Sequence, residues 1–521
     1  MSILSAPFQQ LCAIFGSITF FQWIAIFVVF VFYIYWSLTK NYGKFEKQGL
    51  FSIPPKLLFG NNQDLFLQTK PMITCYREFY NQFGNNKCGI CYEGPEAKFY
   101  VKDPELIKQV MIKDFDHFVD LNFIPKELAN MPVNEFGLAN ALGDEWRALK
   151  SSITPAFSLK NIKNIGTNIN GPALDVIDSL KKCQNGVANM ELYSGYFAMD
   201  CIGRIVFSID FQTTKSGGND FVKYGDGFFE SWRFAFASLI PSVAKNLNFA
   251  MFNPKSTGFF LKLAHSVLSG RDGTNAYPPD VLGLMMKIRD GKLIPEDDDE
   301  KGSKQTMAAK CMDNDMICRT LMQFFMDGYD TVSAMTTMCF YYVAHHPEVQ
   351  DRLIDEVDEL SGRVGTNITG DDVKDLHYMT QVYNETSRLA PFSFTLRRCT
   401  KPWKVPGTEA VIPVDMGVVI PIVGLHYDPT YFPDPEKFNP DRFSTENKHK
   451  ITPGTFIPFG LGPRQCIGMK IAQMEAKILM YQVFRNFRLE PSESTPFPPK
   501  WRSDHFNRIQ GGCNLKLISR V

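Results

Sequence analysis

Cys466 stands in the stretch Phe459-Gly460-Leu461-Gly462-Pro463-Arg464-Gln465-Cys466-Ile467-Gly468, just ahead of an apolar helical pattern from Ile471 to Phe487. A cysteine placed there meets unpaired amide protons and the positive end of the helix macrodipole, which favour its thiolate. The glycines around it permit the close approach of a flat ligand that a β-carbon would block. Arg464 can reach a carboxylate with a bidentate fork. A thiolate beside an arginine suits an iron porphyrin, which offers its metal to sulfur and its propionates to a guanidinium. Taken alone, the loop also reads as a tight turn beside a buried structural cysteine.

Three more groupings could do chemistry. Asp327-Gly328-Tyr329-Asp330-Thr331 lies in a proline-free stretch, Met312 to Tyr342, that is apolar nearly all the way round and so predicts a buried helix. An acid beside a hydroxyl, Asp330 with Thr331, can deliver protons inside a dry pocket. The competing reading has Thr331 back-bonding within the helix and Asp330 capping or pairing. Asp327 precedes Thr331 by one helical repeat and faces the same way, where a carboxylate must be paired, protonated or used. Trp146 and Lys150 share one face of a helix opened by Asp144 and Glu145; elsewhere such a pair is a core ring and a solvated cation. Glu385 and Arg388 likewise share a face, and Arg442 follows on a loop.

The four groupings, in their order and spacing along the chain, resemble the motifs of the cytochrome P450 family from about Ser52 to the C-terminus. The loop matches every specified position of the signature Phe-x-x-Gly-x-Arg-x-Cys-x-Gly. The resemblance implies a mainly α fold with a minor β region, preceded by one N-terminal transmembrane helix. It implies haem b as cofactor, with Cys466 as the axial thiolate ligand and metal-binding residue, and Phe459 and Arg464 beside the porphyrin. Trp146, Lys150 and Arg398 then bind propionates, with Arg397 the alternative to Arg398; Lys150 departs from the family's arginine and makes a point contact instead of a fork. Thr331 and Asp330 become the catalytic residues of proton delivery. Gly328 lets the helix open locally, and Glu385, Arg388 and Arg442 form a buried ion network supporting the haem loop. Asp327 departs from the usual Ala or Gly; in the fatty-acid ω-hydroxylase branch a glutamate there can be esterified to haem, but aspartate is one methylene shorter, so a water-linked or substrate-pairing carboxylate is the reading.

The implied activity is a monooxygenase inserting one atom of O2 into a lipophilic xenobiotic, steroid or fatty acid, as in the microsomal animal branch. Without a Gly-x-Gly-x-x-Gly nucleotide fingerprint, electrons come from a separate NADPH–cytochrome P450 reductase, with cytochrome b5 a further partner. Two rivals are a haem-thiolate isomerase or dehydratase acting on a peroxide and a haem-binding carrier or sensor without turnover.

The elements that must position these residues begin with an anchor. Ile18 to Leu38 is almost wholly apolar and about as long as a helix needs to cross a bilayer. Tyr33, Tyr35 and Trp36 sit near one end, then Lys40, Lys44 and Lys47, which by the positive-inside rule leave the rest of the chain in the cytosol at the endoplasmic reticulum membrane. A cleaved signal peptide would want a basic start and a small-residue cleavage site, and neither is found. The expected division is a short segment at 1–17, a transmembrane anchor at 18–38, a basic and proline-bearing hinge at 39–56 and a haem-thiolate catalytic domain at 57–521. Gly89 to Lys102 alternates like a strand pair, Asp103-Pro104 opens a helix and Phe123 to Asn140 reads as loop. The 55 basic and 55 acidic residues cancel, which gives no sign of nucleic acid. Twelve scattered cysteines fit a reducing compartment, and Cys88 with Cys91 reads as part of a strand, not a zinc site.

Overall fold

A computed structural model describes residues 19–520 except 122, 130, 135–136, 158, 184–185, 275, 293–308 and 504–507. The 1–17 segment, Ile18 and the acidic run at 296–300 lie outside the described residues.

Helix α1 (Phe20–Thr39) carries no charge, and none of its residues is buried against the rest of the protein. Twenty residues span about 30 Å, so α1 is long and apolar enough to cross a membrane. Its exit is tied down: the Asn41 carboxamide donates to Pro95 O (3.2 Å), and Tyr42 donates to Gly94 O (3.2 Å) while packing edge-on against Tyr92.

That contact reaches the turn between β1 (Cys88–Glu93) and β2 (Glu96–Val101), an antiparallel pair as the alternation predicts. A short strand β3 (Val187–Asn189) follows in the chain, then β4 (Thr395–Arg398), β5 (Trp403–Lys404), β6 (Val411–Ile412), β7 (Gly417–Ile420), β8 (Phe487–Pro491) and β9 (Asn514–Ser519). They form sheets in the orders β1-β2-β7-β4, β3-β9-β8 and β5-β6. Cys88 and Cys91 are both buried in β1. Asp103 caps the helix after β2, accepting from Leu106 N at 3.0 Å. The stretch read as loop from Phe123 to Asn140 instead holds short helical turns at Lys126–Ala129, Pro132–Asn134 and Gly137–Asn140, too brief to carry a periodicity.

The rest is helical. The site is built from α2 (Gly143–Ile153), α3 (Met190–Phe207), α4 (Asn314–Ala344), α5 (His377–Leu389) and α6 (Met469–Asn486). Helix α4 runs 31 residues from an Asp313 cap and is buried on most of its circumference, as its apolar sequence requires. It packs against α3, α5 and α6, and Gly328 serves that packing: a β-carbon there would collide with Ile202 of α3. The helix is continuous through Gly328, so in this structure the glycine admits a neighbouring side chain in place of the local opening expected of it.

Candidate functional site

The loop that ends in Cys466 is folded on itself, Cys466 N donating to Phe459 O (3.0 Å) and Gln465 N to Gly462 O (2.9 Å). Gly462 has φ +73°, and a β-carbon on it would strike the Met111 carbonyl oxygen. Only glycine serves there. Cys466 Sγ sits at the start of α6 and faces a cavity of about 280 Å3, whose opposite wall is Asp327, Gly328, Thr331 and Val332 of α4. Trp146, Lys150, Phe459 and Arg464 line the same cavity. The site thus joins elements more than 300 residues apart in sequence.

Electrostatics correct one expectation. The amides of Gly468 and Met469 do lower the Cys466 pKa, but desolvation by the surrounding protein outweighs them and pushes the free thiol, which opens on the cavity, up to about 11. The helix end alone does not make a thiolate; a cation must take the proton's place.

On one side of the cavity, cations gather. Arg464 lies 3.8 Å over the Trp146 ring and donates to Val119 O (2.9 Å) and Ala141 O (3.1 Å). Lys150 donates to Pro463 O and to Gln465 O (3.3 Å), tying α2 to the cysteine loop. Burial and the neighbouring Arg464 push Lys150 down to about 8, and burial followed by Arg397 brings Arg464 down to about 9. Arg397 is itself buried, lowered to about 10, and its Nε and Nη2 have no partner. Sequence reading put Arg398 on a propionate with Arg397 as the alternative; both are buried and keep unpartnered donors, and the charge of Arg397 acts on Lys150 and Arg464. Arg398 turns the other way along β4 and donates to Ile124 O (3.2 Å). Three mutually repelling cations, of which Arg397 keeps two unfilled donors, are a cradle for anions. An iron porphyrin fits this donor set, with propionates for the cations and a metal for the sulfur.

The distal residues divide. Thr331 opens on to the cavity, its hydroxyl donating to Asp327 O (2.5 Å). Asp330 pairs instead with Arg508, which also binds Glu191 (2.8 Å), and lines a second cavity of about 200 Å3. Neighbours on a helix point about 100° apart, so the acid and the hydroxyl face different spaces. Phe123, Phe229, Phe234 and Phe394 also line that second cavity. Asp327 Oδ2 accepts from Gln323 Nε2 (3.1 Å), whose oxygen is held by Ala139 N (2.9 Å), and burial pushes its carboxyl up to about 6.

Behind the loop, Glu385 and Arg388 have no exposed side-chain surface. Arg388 makes five bonds, two to Glu385 and three to the carbonyls of His426, Pro435 and Lys437. Arg442 reaches Glu385 at 3.3 Å.

Sequence reasoning missed Gln323 and Glu475. Glu475 lines the main cavity from α6, and burial pushes its carboxyl up to about 8. The readable signal was an acid in register with Gly468 and Ile471 on the buried face of α6.

The profile of the Cytochrome P450 family matches residues 52–516. The chain is 31% identical to Cytochrome P450 9e2 of Blattella germanica, over 95% of this chain and 97% of that one. It is 30% identical to Cytochrome P450 6B2 of Helicoverpa armigera (96% and 99% covered) and 29% to Cytochrome P450 6B1 of Papilio polyxenes (95% and 99%).

Proposed function

The chain belongs to the cytochrome P450 family, and from that premise we propose that it is a membrane-anchored monooxygenase that hydroxylates a lipophilic organic molecule. The observation that carries the reading is a cysteine and a threonine lining one cavity together with two cations, Lys150 and Arg464, on both of which Arg397 acts. When bound there, haem b supplies thiolate-backed O–O cleavage and the oxidant for an unactivated C–H bond. In balance, R–H, O2, two protons and two electrons give R–OH and water.

Cys466 is the residue to give up its proton and ligate the iron. Phe459, Trp146, Lys150 and Arg464, with Arg397 or Arg398, would hold the porphyrin, the cations binding its propionates. Thr331 holds a proton at its Oγ1 facing the cavity. Asp330 can serve it only after leaving Arg508, which makes that ion pair the gate on proton supply. The Glu385–Arg388–Arg442 network keeps the loop's supporting segment in place.

The apolar, unburied α1 and the lysines after it support an anchor at 18–38, a hinge at 39–56 and a catalytic domain at 57–521 on the cytosolic face of the endoplasmic reticulum. Electrons come from NADPH–cytochrome P450 reductase, with cytochrome b5 as a second donor. The test is the carbon-monoxide difference spectrum of the reduced, detergent-solubilised protein beside Cys466→Ser. A strongly red-shifted Soret band that disappears in the variant supports the reading; a wild-type band at the position of histidine-ligated haem overturns it.

A further inference from the structure

The second cavity ends, away from α4, in a group of polar side chains that the proposed reaction does not use. In the β1–β2 register Glu93 lies directly opposite Glu96, and Cys91 opposite Lys98. Like charges placed so are destabilising unless something holds them. Lys98 does so in part, with Nζ 2.7 Å from Glu96 and 4.0 Å from Glu93. One ammonium between two carboxylates leaves an excess negative charge. The nearest other cation acting on Lys98, Arg398, is on β4, two strands away across the sheet, and does not line the cavity.

A separate observation points the same way. Asn62 lines this end, is only 5% exposed, and turns its carboxamide hydrogens towards Glu93. Its Oδ1 has no partner. A buried acceptor left unsatisfied is costly, and here it sits beside two carboxylates that also accept. This end of the cavity is short of donors.

The walls are aromatic. Tyr76 stacks on Phe394 with centroids 4.4 Å apart, and Phe123 meets Phe234 edge-on at 5.7 Å. Ring faces and surplus carboxylate together suit a cation carrying an apolar body, while an anion would meet repulsion. The β1–β2 turn at this end is also where the exit of α1 is seated. The other carboxylate of the cavity, Asp330, is already held by Arg508.

We propose that this end is a binding subsite for a protonated nitrogen, held between the Glu93 and Glu96 carboxylates and the Asn62 oxygen, and that the substrates it selects are lipophilic amines. The inference rests on the monooxygenase reading for the word substrate; the binding preference itself does not. The nitrogen is anchored at the β1–β2 end, and the apolar body extends past Phe394 towards the α4 end of the cavity at Asp330.

The experiment compares N,N-dimethyl-phenylbutylamine with the tertiary alcohol of the same carbon frame, by calorimetric titration of the full-length holoprotein at neutral pH. The amine binds about tenfold tighter or better, about 1.4 kcal/mol. Glu93→Gln with Glu96→Gln brings the two ligands to parity by weakening the amine alone. Asn62→Leu, which leaves the charges untouched, lowers amine affinity in the same sense. Equal binding of both ligands to the wild type, or a preference that survives Glu93→Gln with Glu96→Gln, overturns the proposal. The carbon-monoxide spectrum of each sample separates the two readings. A red-shifted band without amine preference sinks only the subsite, and amine preference without the band sinks only the monooxygenase.

Discussion

Replacing Glu475 by glutamine should stabilise the protein, and should do so only where the pH makes the wild-type carboxyl a burden. Glu475 is 3% exposed in α6, and burial alone pushes its pKa from the ordinary 4.5 to about 8. In the unfolded chain the group ionises above pH 4.5; in the folded protein it keeps its proton until about pH 8. Its folded pKa is raised, so no penalty exists below 4.5, the penalty grows as pH rises, and it levels off above 8. The size follows from the gap. At neutral pH the folded state must hold a proton that the unfolded state has lost, which costs about 3 kcal/mol, and above pH 8 the full shift costs about 5 kcal/mol. Glutamine keeps the volume and a donor but never ionises. Urea unfolding of the holoprotein, followed by tryptophan fluorescence between about pH 5 and about pH 8, should give nearly equal stabilities at the acid end and a gap opening towards neutrality. Parallel curves, offset by a constant at every pH, would refute the reasoning. They would mean that Glu475 has the same protonation folded and unfolded, and that some cation compensates it.

Glu385→Ala strands two donors of Arg388, the Asn439 amide and Arg442 Nε in a buried site, so holoprotein yield should collapse by the equivalent of about 3–5 kcal/mol, read as haem content per chain. Asp327, raised to about 6, is neutral below that pH and charged above it. A neutral apolar ligand should therefore bind more weakly as pH rises through about 6, and Asp327→Asn should flatten that dependence in a spectral titration. Acid extraction should release all of the haem, since Asp327 is already engaged by Gln323; retained haem would point to an ester. The sequons at Asn367 and Asn384 should carry no glycan in cells, and glycosidase-sensitive mobility would reverse the proposed orientation.

What the sequence made legible was local. The Cys466 loop announces itself because glycine, arginine and cysteine are fixed within ten positions, and Gly462 meets a steric demand that no other residue satisfies. Helix α4 and the anchor were legible through continuous apolar character, and β1 with β2 through alternation. Pairing at long range was not. Asp330 looks like a partner for Thr331 because it is adjacent, yet its partner is Arg508, 178 residues on. Arg397 and Arg398 are indistinguishable as letters; the strand alternation that separates them becomes informative only when β7 fixes which face of β4 looks inward. The thiol of Cys466 shows the same limit in energetic form. A helix terminus is readable in sequence, whereas the burial that overrides it depends on what closes over the loop.

Helix α4 then acts as the partition of the active region. Thr331 opens on the space in front of Cys466, and Asp330, one residue earlier, opens on the aromatic cavity that ends in Glu93 and Glu96. Charge is sorted across that wall. The cysteine side gathers Lys150 and Arg464, on which Arg397 acts, against the raised carboxyls of Asp327 and Glu475, and the far end of the other cavity holds two carboxylates and one lysine. A neutral apolar molecule would gain nothing from such sorting, whereas a dianionic porphyrin edge on one side and a cationic amphiphile on the other would each complete an unfinished set of charges. The Asp330–Arg508 pair closes the α4 end of the aromatic cavity, and so long as it holds, Asp330 stays on that side of the wall.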